Sequence, residues 1–141
     1  MLTYDFKIRI RYGETDQMGY LYYGHYAHYF EIGRTETMRH IGFPYKVLEE
    51  KYKVMLPVKS MNIRFLRPGF YDDLVTVRSI MRDFPENRVL FRSQIFNSES
   101  KLMCQGDVRL AFVDMETMKG CPPPKDLLDA VRPYFEKAEK L

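Results

Sequence analysis

From Tyr4 to Arg11 the chain alternates, with Tyr4, Phe6, Ile8 and Ile10 apolar and Asp5, Lys7, Arg9 and Arg11 charged. A period of two puts one set on each face of a pleated ribbon, so this segment predicts a first strand buried on one side. The period then changes. From about Tyr23 to Ile41, the positions Tyr26, Phe30, Gly33, Thr37 and Ile41 recur every three or four residues, and Ala27, Tyr29 and Met38 widen the stripe. That spacing predicts a long, mostly buried helix. Glycine in a helix interior costs about 1 kcal/mol against alanine, so Gly33 marks a place where the helix packs closely on another layer. Gly42, just past the stripe, is the expected stop, because glycine tolerates the left-handed residue that ends many helices. Gly-Phe-Pro followed by Tyr45, Val47 and Leu48 predicts a short helix or turn between Phe43 and Tyr52.

Period two returns in the second half. Met55, Met61, Ile63 and Phe65 alternate with Ser60, Asn62 and Arg64 as one strand-like run, which ends in the turn Arg67-Pro68-Gly69. Leu74 to Arg82 and Val89 to Asn97 form two more runs joined through Asp83 to Asn87, and Asn97 to Lys101 turns the chain into a last strand. In that strand Cys104, Gly106, Val108, Leu110 and Phe112 share a face. After the stiff Pro122-Pro123-Pro124, residues Leu127, Leu128, Val131, Tyr134 and Phe135 fall at helical spacing, with Asp126 and Asp129 early and Lys137 and Lys140 late. Pro133 is expected to break or kink this C-terminal helix. The order predicts an α+β layout, an antiparallel sheet of about five strands wrapped on one long helix. A chain of 141 residues suits a single domain spanning 1–141 with its own core.

Composition narrows the partners. Lys and Arg number 22 against 19 Asp and Glu, a net charge of +3, and the arginines are spread along the chain rather than clustered, which argues against a nucleic-acid partner. Cys104 and Cys121 have no CxxC spacing, so neither a disulfide framework nor a structural zinc is expected, and reduced thiols in a cytoplasmic setting are. No window approaches about 18 apolar residues, so neither secretion nor a membrane span is predicted. His25, His28 and Glu31 fall at i, i+3, i+6 rather than the i, i+4 of helical zinc ligands, and no metal site is expected. Glu31 and Arg34 read instead as an i, i+3 ion pair.

Candidate chemistry centres on the run Tyr12-Gly13-Glu14-Thr15-Asp16-Gln17-Met18-Gly19, which sets one carboxylate in a glycine-containing loop ahead of the long helix. Thr-Asp before a helix is ordinarily an N-cap, its short side chain accepting from an unpaired N–H. A carboxylate beside those unpaired N–H groups also suits acyl chemistry, since a helix start favours negative charge and stabilises a developing oxyanion.

The pattern Tyr12-x-x-Thr15-Asp16-x-x-Gly19-x-x-Tyr22-x-x-x-Tyr26-x-x-x-Phe30-Glu31-x-x-Arg34 resembles the acyl-CoA thioesterases of the 4-hydroxybenzoyl-CoA thioesterase type, including the YbgC-like group. Nearly the whole chain follows their element order. The resemblance implies a hotdog fold and hydrolysis of an acyl-CoA or acyl-carrier-protein thioester without a cofactor. It implies Asp16 as nucleophile or general base and the backbone N–H of Tyr23 as the group that polarises the thioester carbonyl. Many YbgC-like members have His where this chain has Tyr23, and Asn-Tyr where it has His25-Tyr26; His25 is the neighbouring imidazole. Tyr12, Gly19, Tyr22, His25 and Tyr26 are expected around the substrate, Phe30, Met61, Ile63 and Phe65 as acyl-pocket walls, and Lys59, Arg64, Arg67 or Arg92 against the CoA phosphates. A homodimer with a continuous sheet, assembled into a homotetramer, is also implied, and an uncovered sheet edge points the same way. Two other functions fit such a fold: a non-catalytic acyl-thioester-binding module, which needs no Asp16, and a β-hydroxyacyl-thioester dehydratase, which would use a histidine such as His25.

Overall fold

The computed structural model describes residues 1–139. The N-terminal alternation forms β1 (Leu2–Arg9), with Leu2 and Ile8 buried and Arg9 in water. The helical stripe becomes α1 (Gly24–His40), which buries Tyr26, Tyr29, Phe30, Gly33, Thr37 and Met38. It ends as the sequence predicts: Gly42 has φ +85°, its N–H donates to the Arg39 carbonyl at 3.1 Å, and the Phe43 N–H donates to Met38 at 2.8 Å. Those two bonds satisfy carbonyls that the last helical turn leaves open. A short α2 (Tyr45–Lys51) follows.

The run from Met55 to Phe65 differs from expectation. It is broken into β2 (Val54–Met55), β3 (Val58–Met61) and β4 (Arg64–Phe65). Pro57 falls at the first break, where its missing N–H cannot continue a ladder. All residues of β3 and β4 are exposed, so the alternation there does not point into this chain's core.

Three long strands follow, β5 (Leu74–Met81), β6 (Arg88–Phe96) and β7 (Leu102–Ala111), and then β8 (Val113–Asp114), which pairs with β2 in a separate two-stranded ribbon. The main sheet is antiparallel and has six strands rather than five, in the order β1-β5-β6-β7-β3, with β4 also on β7. This is the hotdog arrangement. Its inner face covers α1, and Val75, Val77, Phe91, Ile95, Val108 and Leu110 meet Tyr29, Phe30 and Met38 in one core.

Two glycines set the spacing of these layers. A Cβ on Gly33 would lie 2.6 Å from Val77 Cγ1 and 2.7 Å from Ser79 Oγ, so α1 rests directly on β5. A Cβ on Gly106 would lie 2.0 Å from the Asn62 carbonyl oxygen, so only glycine lets the β3–β4 connection cross β7 at that height.

The C-terminal α3 (Lys125–Glu139) runs through Pro133 without breaking. Leu127 and Val131 are buried, and Tyr134 and Phe135 pack against the core, so burial of one face outweighs the loss of one helical N–H. Lys140 lies outside the described residues. The expected Glu31–Arg34 ion pair is not formed. Arg34 lies on the core face at 4% exposure, whereas Glu31 sits in solvent with its carboxylate 3.6 Å from His28 Nδ1.

Candidate active site

The loop after β1 opens with a single 3₁₀ turn, Tyr12–Glu14, and then doubles back on itself. Asp16 N–H donates to the Tyr20 carbonyl at 2.8 Å, Gly19 N–H donates to the Asp16 carbonyl at 2.9 Å, and Tyr22 N–H donates to the Glu14 carbonyl at 2.9 Å. Gly19 has φ +84°, which the reversal requires and which other residues adopt at a cost. Asp16 is not the N-cap of α1, which begins only at Gly24. Its Oδ1 instead accepts the Met18 N–H at 2.9 Å and the Tyr20 N–H at 3.2 Å, as Asp does in turns that it caps by itself. Among the described residues Oδ2 accepts no hydrogen bond from the chain.

The start of α1 lacks a cap. Tyr23 is the N-cap residue and makes no side-chain capping bond. The N–H groups of Tyr23 and Gly24 find no acceptor among the described residues. Together they leave a patch of positive potential of the kind that binds anions at helix starts.

Asp16, Tyr23, Tyr26, Phe65, Leu66 and Arg67 border one cavity of about 290 Å³. Tyr26, 3% exposed, meets Phe65 edge to face with ring centroids 5.0 Å apart. Burial, with the neighbouring Cys104 adding and the Gly69 backbone opposing, pushes the Tyr26 hydroxyl up to about 12, so it stays protonated at neutral pH. Arg67 Nη1 is anchored on the Leu102 carbonyl at 2.8 Å.

Of the residues singled out in the sequence, Asp16, Tyr23, Tyr26, Phe65 and Arg67 therefore converge. Tyr12 stands apart at 77% exposure, its ring edge-on to Tyr71. Tyr22 lies over Gly24, where a Cβ would come within 2.7 Å of its ring, and it touches the rings of Tyr23 and His25 rather than the cavity. Lys59 borders a different hollow beside Arg88 and Arg109, and Arg64 another beside Arg92 and Asp107. Arg92 is held by Asp107 in two bonds of 3.0 and 3.3 Å. Phe30 is deep in the core, Ile63 is half-buried and Met61 is 40% exposed; none of them lines the cavity.

Sequence reasoning missed the far wall. The sequence marks Pro68 only as part of the turn Arg67-Pro68-Gly69 and gives no signal for Leu66, yet Leu21 N–H donates to the Gly69 carbonyl at 2.7 Å and Tyr20 bridges Phe70, which lays that turn against the Asp16 loop. No periodicity signals a contact between two loops. Glu14 and Tyr29 were also missed: the Tyr29 hydroxyl, on the buried face of α1, donates to Glu14 Oε1 at 2.6 Å. Partial burial disfavours the Glu14 carboxylate, but bonds from Tyr29 and the Arg11 N–H, with the Arg11 and His25 charges, hold its pKa below the usual range.

The model of the Thioesterase-like superfamily matches residues 10–131, most of the chain. The chain belongs to that superfamily. It is 32% identical over 134 residues to YneP of Bacillus subtilis, covering 95% of this chain and 96% of that one. It is 28% identical to the acyl-CoA thioesterase YbgC of Haemophilus influenzae, covering 88% and 90% of the two chains. The crystal structure of a DHNA-CoA thioesterase from Staphylococcus aureus superposes with a TM-score of 0.90 at 27% identity, covering 99% and 95%.

Proposed function

We propose that this member of the superfamily hydrolyses acyl-CoA thioesters to a free carboxylic acid and a thiol, with Asp16 as the reacting carboxylate. The observation that carries the reading is the meeting of three features around one apolar cavity: a carboxylate fixed through one oxygen, a second oxygen without a partner among the described residues, and the start of α1 without a side-chain cap. Similarity to YbgC and to the Staphylococcus aureus enzyme supports acyl-CoA as the substrate class.

The thioester carbonyl oxygen is taken to lie at the Tyr23 N–H, where the helix start offsets the negative charge that builds during attack. As general base, Asp16 accepts a proton from a water that adds to the carbonyl carbon; the C–S bond then breaks, and the thiolate leaves and is protonated. As nucleophile, Asp16 itself adds to that carbon and expels the thiolate, and water hydrolyses the resulting mixed anhydride. General-base assistance contributes about 10²- to 10⁴-fold and one oxyanion donor about 10²- to 10³-fold. Arg67, which borders the cavity, is taken as the cation that meets the CoA phosphates, since a guanidinium matches phosphate geometry.

The second chain of a homodimer completes the picture. Phe65 and Leu66 form one wall of the cavity yet are 50% and 49% exposed, and the neighbouring β3 edge exposes Val58 and Met61 at 43% and 40%. Apolar edges of this kind are covered in stable proteins, and a partner sheet continuing from β3 would cover this one.

The test is thiol release from short, long and aromatic acyl-CoAs by the native chain and by Asp16→Asn, which keeps the shape and removes the charge. A fall of about 10²-fold or more in kcat supports the reading. Undiminished turnover in the variant overturns Asp16 catalysis. Binding without turnover on CoA and carrier-protein substrates alike favours the non-catalytic module.

A further inference from the structure

The far side of the Asp16 loop is held to the body of the protein by the Leu21 N–H bond to the Gly69 carbonyl and the Tyr20–Phe70 bridge, and its base is held through the side chain of Glu14. Glu14 lies two residues before Asp16, and its side chain is only 14% exposed. Its Oε1 accepts both the Tyr29 hydroxyl at 2.6 Å and the Arg11 N–H at 2.9 Å, and its backbone carbonyl accepts the Tyr22 N–H at 2.9 Å. Tyr29 is fully buried in the core face of α1. One residue thus joins three parts: the segment just after β1, the interior of the long helix, and the residue just before Tyr23.

We infer that Glu14 and Tyr29 are a positioning pair that fixes Asp16 relative to the Tyr23 N–H; this rests on the reading of Asp16 and Tyr23 above. Neither borders the cavity, so neither touches substrate. Their effect runs through the loop. Without the bond from Tyr29, the Glu14 carboxylate sits half-buried on fewer donors and draws toward water, carrying the Glu14–Tyr22 base of the loop with it. Asp16 then loses its set distance from the helix start. The reacting geometry tolerates little of this, because displacing a catalytic group by about 1 Å can cost on the order of 10²-fold in rate.

The Tyr29 hydroxyl and the Arg11 backbone N–H both donate to a single oxygen of Glu14, which makes the proposal specific. Glu14→Gln keeps an amide oxygen able to accept both and gives up only the exposed Arg11 guanidinium, 4.0 Å from Oε2, so it separates the acceptor from the charge. Glu14→Ala and Tyr29→Phe remove the acceptor and the donor respectively.

The experiment is steady-state thiol release, normalised to folded protein, from the native chain, Tyr29→Phe, Glu14→Ala, Glu14→Gln, Tyr29→Phe/Glu14→Ala and Asp16→Asn. Amide hydrogen exchange at Met18, Tyr20 and Tyr22 is measured on the same samples. Tyr29→Phe and Glu14→Ala are expected to lower kcat about tenfold or more with KM little changed, the double variant to fall no further than either alone, and Glu14→Gln to recover most of the loss. Exchange at Tyr22 should quicken in both single variants. If kcat and Tyr22 exchange in Tyr29→Phe match the native chain while Asp16→Asn is inactive, the positioning pair is refuted and the Asp16 reading stands. If Asp16→Asn is fully active, the Asp16 reading fails, and the exchange data alone then decide whether Glu14 and Tyr29 hold the loop. A lowered melting temperature with native kcat per folded molecule would make the pair merely structural and overturn the inference.

Discussion

Replacing Gly106 by alanine tests how the cavity wall is held. The added Cβ would lie 2.0 Å from the Asn62 carbonyl oxygen and 3.0 Å from its carbonyl carbon, and 3.1 Å from Phe30 Cε2. The first two are backbone, so no rotamer change relieves them, and the β3–β4 connection must move off β7. That movement strains the Asn62 N–H bond to the Asp107 carbonyl, 3.1 Å in length, and the pairing of Arg64 with Gln105 and Phe65 with Cys104. One or two weakened backbone bonds plus overpacking amount to about 2–5 kcal/mol, a large share of the roughly 5–15 kcal/mol that holds a domain together. Because Phe65, Leu66 and Arg67 follow directly, the cavity should loosen too, and KM for any accepted acyl-CoA should rise. Urea unfolding followed by circular dichroism gives the first quantity and thiol release the second. Phe30→Leu in the same chain should not restore stability, since the obstacle is the Asn62 backbone. Gly106→Ala within about 0.5 kcal/mol of the native chain, or full rescue by Phe30→Leu, would refute the reasoning.

At Gly33 the obstacles are side chains instead. Gly33→Ala gains about 1 kcal/mol of helix propensity but meets Val77 Cγ1 at 2.6 Å and Ser79 Oγ at 2.7 Å, so thermal unfolding should show a net loss of about 1 kcal/mol, and Val77→Ala should offset part of it in the double variant; a higher melting temperature in Gly33→Ala would mean that α1 does not rest on β5 as described. On the outer sheet face, the bond from Arg92 holds the Asp107 carboxyl below its usual range, against some burial and helped by the charges of Arg92, Arg109 and Arg82. A depressed carboxylate stabilises the fold above its unfolded pKa of about 3.9 and loses that contribution as pH falls through the lower folded value, so Asp107→Asn should cost up to about 1 kcal/mol at pH 7 and almost nothing at about pH 2. Equal cost at both pH values in urea titrations would remove the ion pair as its cause.

The kind and order of most elements follow from local patterning in the chain. The period-two run before Arg11, the stripe from Tyr26 to Ile41 and the stop at Gly42 all report how a segment divides between core and water, which is a local property. Through the register of Tyr12 to Arg34 the sequence also picked out the family, and it offered Asp16 as a candidate. Other features depend on contacts between distant segments, which local periodicity cannot express. The alternation from Met55 to Phe65 is real, but the chain there becomes three short pieces on an edge, because the covering of an apolar face depends on which strand lies beside it. Arg34 and Glu31 parted because one side of α1 faces the core at Tyr45 and the other faces solvent. Pro133 stayed helical because α3 had a core to lie on. The cavity wall at Leu66–Pro68 meets the Asp16 loop through a loop-to-loop contact, and Glu14 meets Tyr29 through one buried hydroxyl; contacts of this kind form only when the loops fold back on α1 and on each other.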